Sequence, residues 1–228
     1  MRVHGADAVS FLQGQLSNDV TKLATAQPLL AGLHNPQGRA IAVLRLVAPA
    51  PDDIVAILPR ELAAPVVARL SKFVLRAKVK LSETDAPLDI DPEQRRALDI
   101  EQGIPQVYAA TSEVFVSQML NLDAVGGIAF DKGCYTGQEV IARAHYRGRM
   151  KRRMQRFRST SAITLAPGDT GTLRDGRTFR VVDAVQRSDG RCEFLAVAAL
   201  VAGETTPSEP GAALVDAEPL PLPYSLPG

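Results

Sequence analysis

Apolar positions alternate between helical and strand spacing along the first two thirds of the chain. Ala8, Val9, Leu12 and Leu16 fall on one helical face, with Asp7 near its start, and predict a short helix over 5–16. Ser17-Asn18-Asp19 ends it with turn-forming side chains. Residues 28–34 and 39–47 read as two strands joined by the turn signal Asn35-Pro36-Gln37-Gly38. Ile54–Leu58 is a short buried strand. Pro59 suits a first helical position, and Leu62, Val66, Val67, Leu70, Phe73 and Val74 continue as a helical stripe. Strand alternation returns at Val79 and Leu81. Pro92 opens another helix, which ends near Gly103 with Pro105 just beyond.

Residues 128–130 are apolar and lead into Lys132-Gly133-Cys134-Tyr135-Thr136-Gly137-Gln138-Glu139. Thr136 and Glu139 have the spacing of a capping box, which predicts a helix from there to about Gly148. Met150–Arg158 alternates as a strand. Beyond it, Gly168, Gly171, Gly176 and Gly190 punctuate short runs such as Arg177–Val185 and Glu193–Val201, the pattern of a small antiparallel β-barrel. Residues 201–228 hold six prolines and four acids without lysine or arginine, and read as a final short strand plus an extended tail. Mixed helices and strands followed by an all-β unit predict an α+β fold with two domains, 1–158 and 159–228.

Composition narrows the function classes. Among 228 residues, 46% are apolar and 22% charged, and the net charge is +1, so nothing in the whole-molecule balance argues for nucleic acid or membrane. Two cysteines are too few for a disulfide framework or for an iron–sulfur cluster without other ligands. Neither a signal peptide nor a membrane-spanning run is visible, so the expectation is a reduced, cytoplasmic protein without a membrane partner.

Candidate chemistry concentrates in three places. Cys134 sits just before the predicted helix start and near Lys132, positions that favour a reactive sulfur, while Gly133 and Gly137 allow a ligand close to the backbone. The same pattern also suits an inert cysteine in a glycine-turned loop. Cys192 reads as simply packed. From Arg143 to Arg158 there are seven arginines and Lys151 without one acid, interleaved with His145, Tyr146 and Phe157. Such a stretch grips the phosphates of RNA or the carboxylate tail of an anionic ligand, or forms a solvated face. Asp19 lies in a polar turn. Glu101 ends a helix, where an acid opposes the dipole, a local cost that a site role would explain, although by residue type Asp19 and Glu101 each also read as ordinary surface acids. Three histidines and two cysteines show no metal spacing, and no Walker or dinucleotide loop is present.

Several phrases occur together in order: Phe11-Leu12-Gln13-Gly14-Gln15-Leu16-Ser17-Asn18-Asp19-Val20, Asn35-Pro36-Gln37-Gly38-Arg39, Glu101-Gln102-Gly103-Ile104-Pro105, Gln118-Met119-Leu120-Asn121-Leu122-Asp123, and Lys132–Glu139 continued by Ala142-Arg143 and Tyr146-Arg147-Gly148. In these the chain resembles the YgfZ-type folate-binding proteins, relatives of the glycine cleavage T-protein (aminomethyltransferase), over most of 5–158. The resemblance implies a T-protein-like folate-binding domain followed by a C-terminal β-barrel. It implies a cavity for tetrahydrofolate or a one-carbon-substituted folate, and a role in assembling or repairing iron–sulfur enzymes, some of which modify tRNA. Its partners would be folate, iron–sulfur client enzymes and tRNA.

By motif position, Asp19, Asn35, Glu101 and Lys132 are the implied folate contacts. Cys134, Lys132 and Asp19 are the implied catalytic residues, without a metal. Arg143, Arg147, Arg149, Lys151, Arg152 and Arg153 are candidates for RNA or client contact. Lys132 and Cys134 belong to the YgfZ signature and not to that of the T-protein, and a thiol suits redox or cluster chemistry better than aminomethyl transfer. Classical turnover is therefore not expected. The alternatives are a folate-dependent aminomethyltransferase and a tRNA-binding module that uses 143–158. Three departures from the pattern stand out. The first helix comes almost at once, without the strand that usually precedes it. The stretch from Leu81 to Arg95 is short, as if an interior subdomain were missing. Ser117 replaces a common proline.

Overall fold

The computed structural model describes residues 1–23, 27–85, 90–201 and 213–226. Two compact units result. The first comprises Met1–Pro87, Gln106–Ser117 and Gly126–Arg147, and the second Leu88–Pro105, Gln118–Val125 and Gly148–Gly228.

The first unit is built on an antiparallel sheet of β1 (Arg2–His4), β2 (Leu29–His34), β3 (Ala40–Ala50), β4 (Asp53–Ile57) and β5 (Lys80–Ser82), in the order β2-β3-β4-β1-β5. Helices α1 (Ala8–Gln13) and α2 (Arg60–Ser71) belong to this unit. A strand therefore does precede the first helix, against the sequence-based expectation. Val3 is fully buried between β4 and β5, and the Arg2 guanidinium grips Asp53 with two 2.7 Å hydrogen bonds. Three residues are too few to show alternation, which is why the strand escapes a periodicity argument.

Helix α2 buries Leu62, Val66 and Leu70 as the stripe predicts, and it stops at Ser71. Phe73, expected to extend the stripe, is 49% exposed. The last helix of this unit, Gln138–Arg147, begins after Gly137, whose φ of +83° is unfavourable for any side chain. Gly137, not Thr136, thus occupies the cap position, and the expected capping box is not the device that starts the helix.

The second unit is a six-stranded, barrel-like sheet, so the α+β class holds. Its strands are β6 (Arg152–Ala162), β7 (Thr170–Leu173), β8 (Thr178–Gln186), β9 (Arg191–Ala199), β10 (Ala213–Val215) and β11 (Ala217–Leu220), in the order β10-β7-β8-β9-β6-β11. Phe157, Phe179 and Phe194 fill its core, the Phe194 ring centroid lying 5.5 Å from that of Phe157 and 5.6 Å from that of Phe179. Helix α3 (Pro92–Glu101) belongs to this unit, and the helix Gln138–Arg147 of the first unit is α4. Asp91 caps α3 by accepting from the Glu93 and Gln94 amides, and Pro92 follows at the first helical position.

Candidate functional site

The segment Lys132–Glu139 is fixed at both ends within the first unit. At its start, the Lys132 ammonium donates to the carbonyl oxygens of Gln13, Leu16 and Asn18 at 2.7, 2.6 and 3.0 Å. These carbonyls end α1 and shape the turn after it, where a cation also complements the helix dipole. Burial lowers the Lys132 pKa to about 8, with Asp19 opposing the shift. Three acceptors use all three hydrogens of the charged amine, so Lys132 serves as a clamp in its protonated form. The ammonium also lies 5.1 Å from the centre of the Tyr135 ring.

Asp19 lies in the turn that Lys132 holds. Its carboxylate caps Val20–Lys22, accepting from the Thr21 hydroxyl at 2.6 Å, from Gln13 Nε2 at 3.0 Å and from the Thr21 amide. The Thr21 hydroxyl leads the interactions that keep this carboxylate below its usual pKa, and the Lys22 ammonium at 3.4 Å adds to them. Asp19 is therefore an ionised acid with fixed geometry.

At the other end the loop meets the β2–β3 turn. A Cβ on Gly137 would lie 2.5 Å from the Asn35 carbonyl oxygen and 3.1 Å from Gly38 Cα, so only glycine fits this approach. Asn35 is itself built into the turn. Its Oδ1 accepts from the amides of Gln37 and Arg39, both at 3.0 Å, and its Nδ2 donates to Glu113 Oε2 at 2.9 Å. A ligand would find only the remaining Nδ2 hydrogen of Asn35, since Oδ1 already takes two donors.

Between the two anchors, Cys134 is exposed and the next residue, Tyr135, is buried. Tyr135 faces the ring of His34 at 6.2 Å, and burial pushes its hydroxyl up to about 12. His34 is 1% exposed. Its Nε2 shares a hydrogen bond with the Ser117 hydroxyl, while Nδ1 has no hydrogen-bond partner among the described residues. Desolvation drives the His34 pKa down to about 3, with the Gly32 backbone opposing, so the ring is neutral. Gly32 makes room for it, since a Cβ there would lie 2.3 Å from His34 Cε1. This His34–Ser117 pair escaped sequence reasoning. The one available signal was Ser117 in place of proline, because a proline offers no hydroxyl.

Glu101 belongs to the second unit. It is the last residue of α3 and is exposed, and its carboxylate makes no hydrogen bond or ion pair among the described residues. The basic stretch divides. Arg143 and Arg147 are exposed on α4, and Arg149 and Lys151 are exposed on the chain that follows. Arg152 donates to Thr178 and Val197 across the second sheet. Arg153 is 3% exposed, with two 3.0 Å bonds to Asp123, so it is a structural cation and not a surface contact. Arg156 and Arg158, together with Arg187, surround the buried Glu193. Burial of Glu193 opposes ionisation, yet the three guanidiniums bring its pKa down to about 2. Cys192 is buried, and desolvation raises its pKa, which fits a packed and inert thiol. Among the described residues no His, Cys, Asp and Glu group is arranged to hold a metal, and no helix is long and apolar enough to cross a membrane.

No protein-family model matches the chain. The tRNA-modifying protein YgfZ of Edwardsiella ictaluri is 30% identical across 86% of this chain and 81% of its own length. That of Klebsiella pneumoniae is 30% identical across 98% and 90%. The Klebsiella alignment runs over 297 positions, more than this chain's 228 residues, so that relative carries segments missing here. An uncharacterized Haemophilus influenzae protein is 30% identical over 69% of the chain. Among solved structures, the glycine cleavage system aminomethyltransferase T of Bartonella henselae superposes with a TM-score of 0.64 at 12% identity, covering 87% of this chain and 75% of that one, which establishes a shared fold.

Proposed function

The chain belongs to the YgfZ family, and from that premise we propose that it binds tetrahydrofolate, or a one-carbon-substituted folate, as an accessory protein for the assembly or repair of iron–sulfur enzymes, tRNA-modifying ones among them. The observation that carries this reading is the doubly anchored loop: an exposed Cys134 held between the Asp19 turn and the Asn35 turn. The relatives' name speaks of tRNA modification, and the shared fold is that of a glycine cleavage system aminomethyltransferase.

The donor set fits the cofactor class. A pterin presents paired N–H groups, and the exposed Glu101 carboxylate, without a bond among the described residues, offers two acceptor oxygens. Asp19 supplies an ionised acid of fixed orientation. Bound folate would supply one-carbon chemistry. Each unit has its own candidate contacts: Glu101 in the second would accept hydrogen bonds, while in the first Asp19 would act by its charge and Lys132 and Asn35 by keeping their turns in place. Cys134 is the group presented to a client, its sulfur free while the residues around it are fixed.

Calorimetric titration with tetrahydrofolate tests the cofactor, with saturable binding expected and weakened in Glu101→Gln. An absence of saturable binding would refute the folate reading. Cys134→Ala should keep folate affinity yet fail to restore iron–sulfur enzyme activity in cells lacking the protein. Full restoration would remove the thiol from the mechanism. Turnover of an aminomethylated lipoyl carrier would instead identify a transferase.

A second reading rests on α4. Phe130 stacks on His145 at 3.8 Å, and Tyr146, 69% exposed, meets both rings edge-on, beside the exposed Arg143 and Arg147. Aromatic rings with flanking arginines suit single-stranded RNA. This reading requires tRNA affinity that falls steeply with salt and drops in Tyr146→Ala.

A further inference from the structure

The C-terminal segment reads from sequence as a final short strand plus an extended tail; β11 is that strand, and Leu222 and Tyr224 just beyond it are bound to the corner that carries Glu101. Strand β11 pairs with β6, placing Leu220 opposite Arg156. Beyond the strand, Leu222 and Tyr224 close over Gly103, two residues after Glu101. Gly103 has a φ of +64°, and a Cβ there would lie 2.6 Å from Leu222 Cδ2 and 2.8 Å from Tyr224 Oη. The corner is a tight helix exit. The Gly103 amide donates to Ile100 O and the Ile104 amide to Asp99 O.

Two carbonyls of this corner are held from outside. Tyr224 Oη donates to Gly103 O at 2.6 Å, and Arg156 Nη1 donates to Glu101 O at 3.3 Å. Both donors are themselves fixed. Asn121 Nδ2 donates to Tyr224 Oη at 3.3 Å and to Met154 O at 2.8 Å, and Arg156 is paired with the buried Glu193. Arg96 ties α3 to Asp183 of β8 at 2.6 Å. The backbone of Glu101–Gly103 is thus restrained on several sides, while the Glu101 carboxylate is exposed and makes no bond among the described residues.

We propose that the C-terminal segment is a positioning element for Glu101, with Tyr224 as its central residue: it presets the acid for a ligand's paired N–H donors. The ligand class rests on the folate reading above, whereas the restraint does not. Preset geometry raises affinity because less freedom is lost on binding.

The test uses the full chain and Tyr224→Phe, which keeps the ring and removes the donor. Tetrahydrofolate affinity should fall about three- to tenfold, the scale of one lost hydrogen bond, with a urea midpoint lowered by no more than that same bond is worth and cooperative unfolding retained. Because Tyr224 acts through Glu101, Tyr224→Phe should have no further effect on affinity in a Glu101→Gln background. Hydrogen exchange at the Gly103 and Ile104 amides should accelerate in Tyr224→Phe. Equal affinity for wild type and Tyr224→Phe overturns the proposal, as does an additive effect in the double variant. If the wild type binds no tetrahydrofolate, the folate reading fails and exchange alone decides: faster exchange upholds the restraint, and unchanged exchange overturns it.

Discussion

His34 makes a quantitative prediction about acid. Its ring is buried and neutral, with one nitrogen on Ser117 and the other without a partner among the described residues. The folded protein takes up this proton only near pH 3, whereas the unfolded chain does so near 6.5. Between those values the unfolded state binds more protons, so stability is full above about 6.5 and falls as pH drops through the window. At about 1.4 kcal/mol per pH unit, the loss is about 1 kcal/mol near pH 5.5 and about 3 kcal/mol near pH 4.5.

Urea unfolding at a series of pH values measures this, comparing wild type with His34→Gln. The comparison matters because burial also lowers the pKa of the Met1 amine, which contributes equally to both chains. His4 and His145 are exposed and likewise common to both. The wild-type free energy should fall relative to the variant by the stated amounts. Parallel curves for the two chains down to about pH 4.5 would refute the reasoning.

Three further outcomes follow from other contacts. Gly137→Ala should destabilise by about 2–4 kcal/mol in urea, combining a left-handed residue with a close approach to Asn35 O. Lys132→Met should remove three part-buried hydrogen bonds, lower stability by about 2–4 kcal/mol and change the alkylation rate of Cys134. Glu193→Ala should cost about 3–5 kcal/mol by leaving three guanidiniums without their shared carboxylate, and wild-type stability should decline from about pH 4.5 toward 2 as that carboxylate is protonated.

Local signals were legible where one stretch of chain held the whole device. Asp91-Pro92 marks the start of α3, Asn35–Gly38 the β2–β3 turn, and the Lys132–Glu139 phrase a glycine-bounded thiol. Devices assembled from distant segments were not legible. Arg153, Arg156 and Arg158 looked like surface cations because their acids, Asp123 and Glu193, lie 30 or more residues away. His34 and Ser117 are 83 positions apart. The role of Lys132 changed for the same reason: its spacing to Cys134 suggested chemistry, while the three carbonyls that hold it come from more than 110 residues upstream.

The contrast between the two cysteines has a practical meaning. One sulfur lies in a barrel core, and the other stands in the open on a loop tied down at both ends. A maleimide dye or spin label added to the unaltered protein will therefore attach at Cys134, with no cysteine to engineer away. A probe there reports on whatever approaches the signature loop, so the natural chain is its own sensor for clients and cofactors.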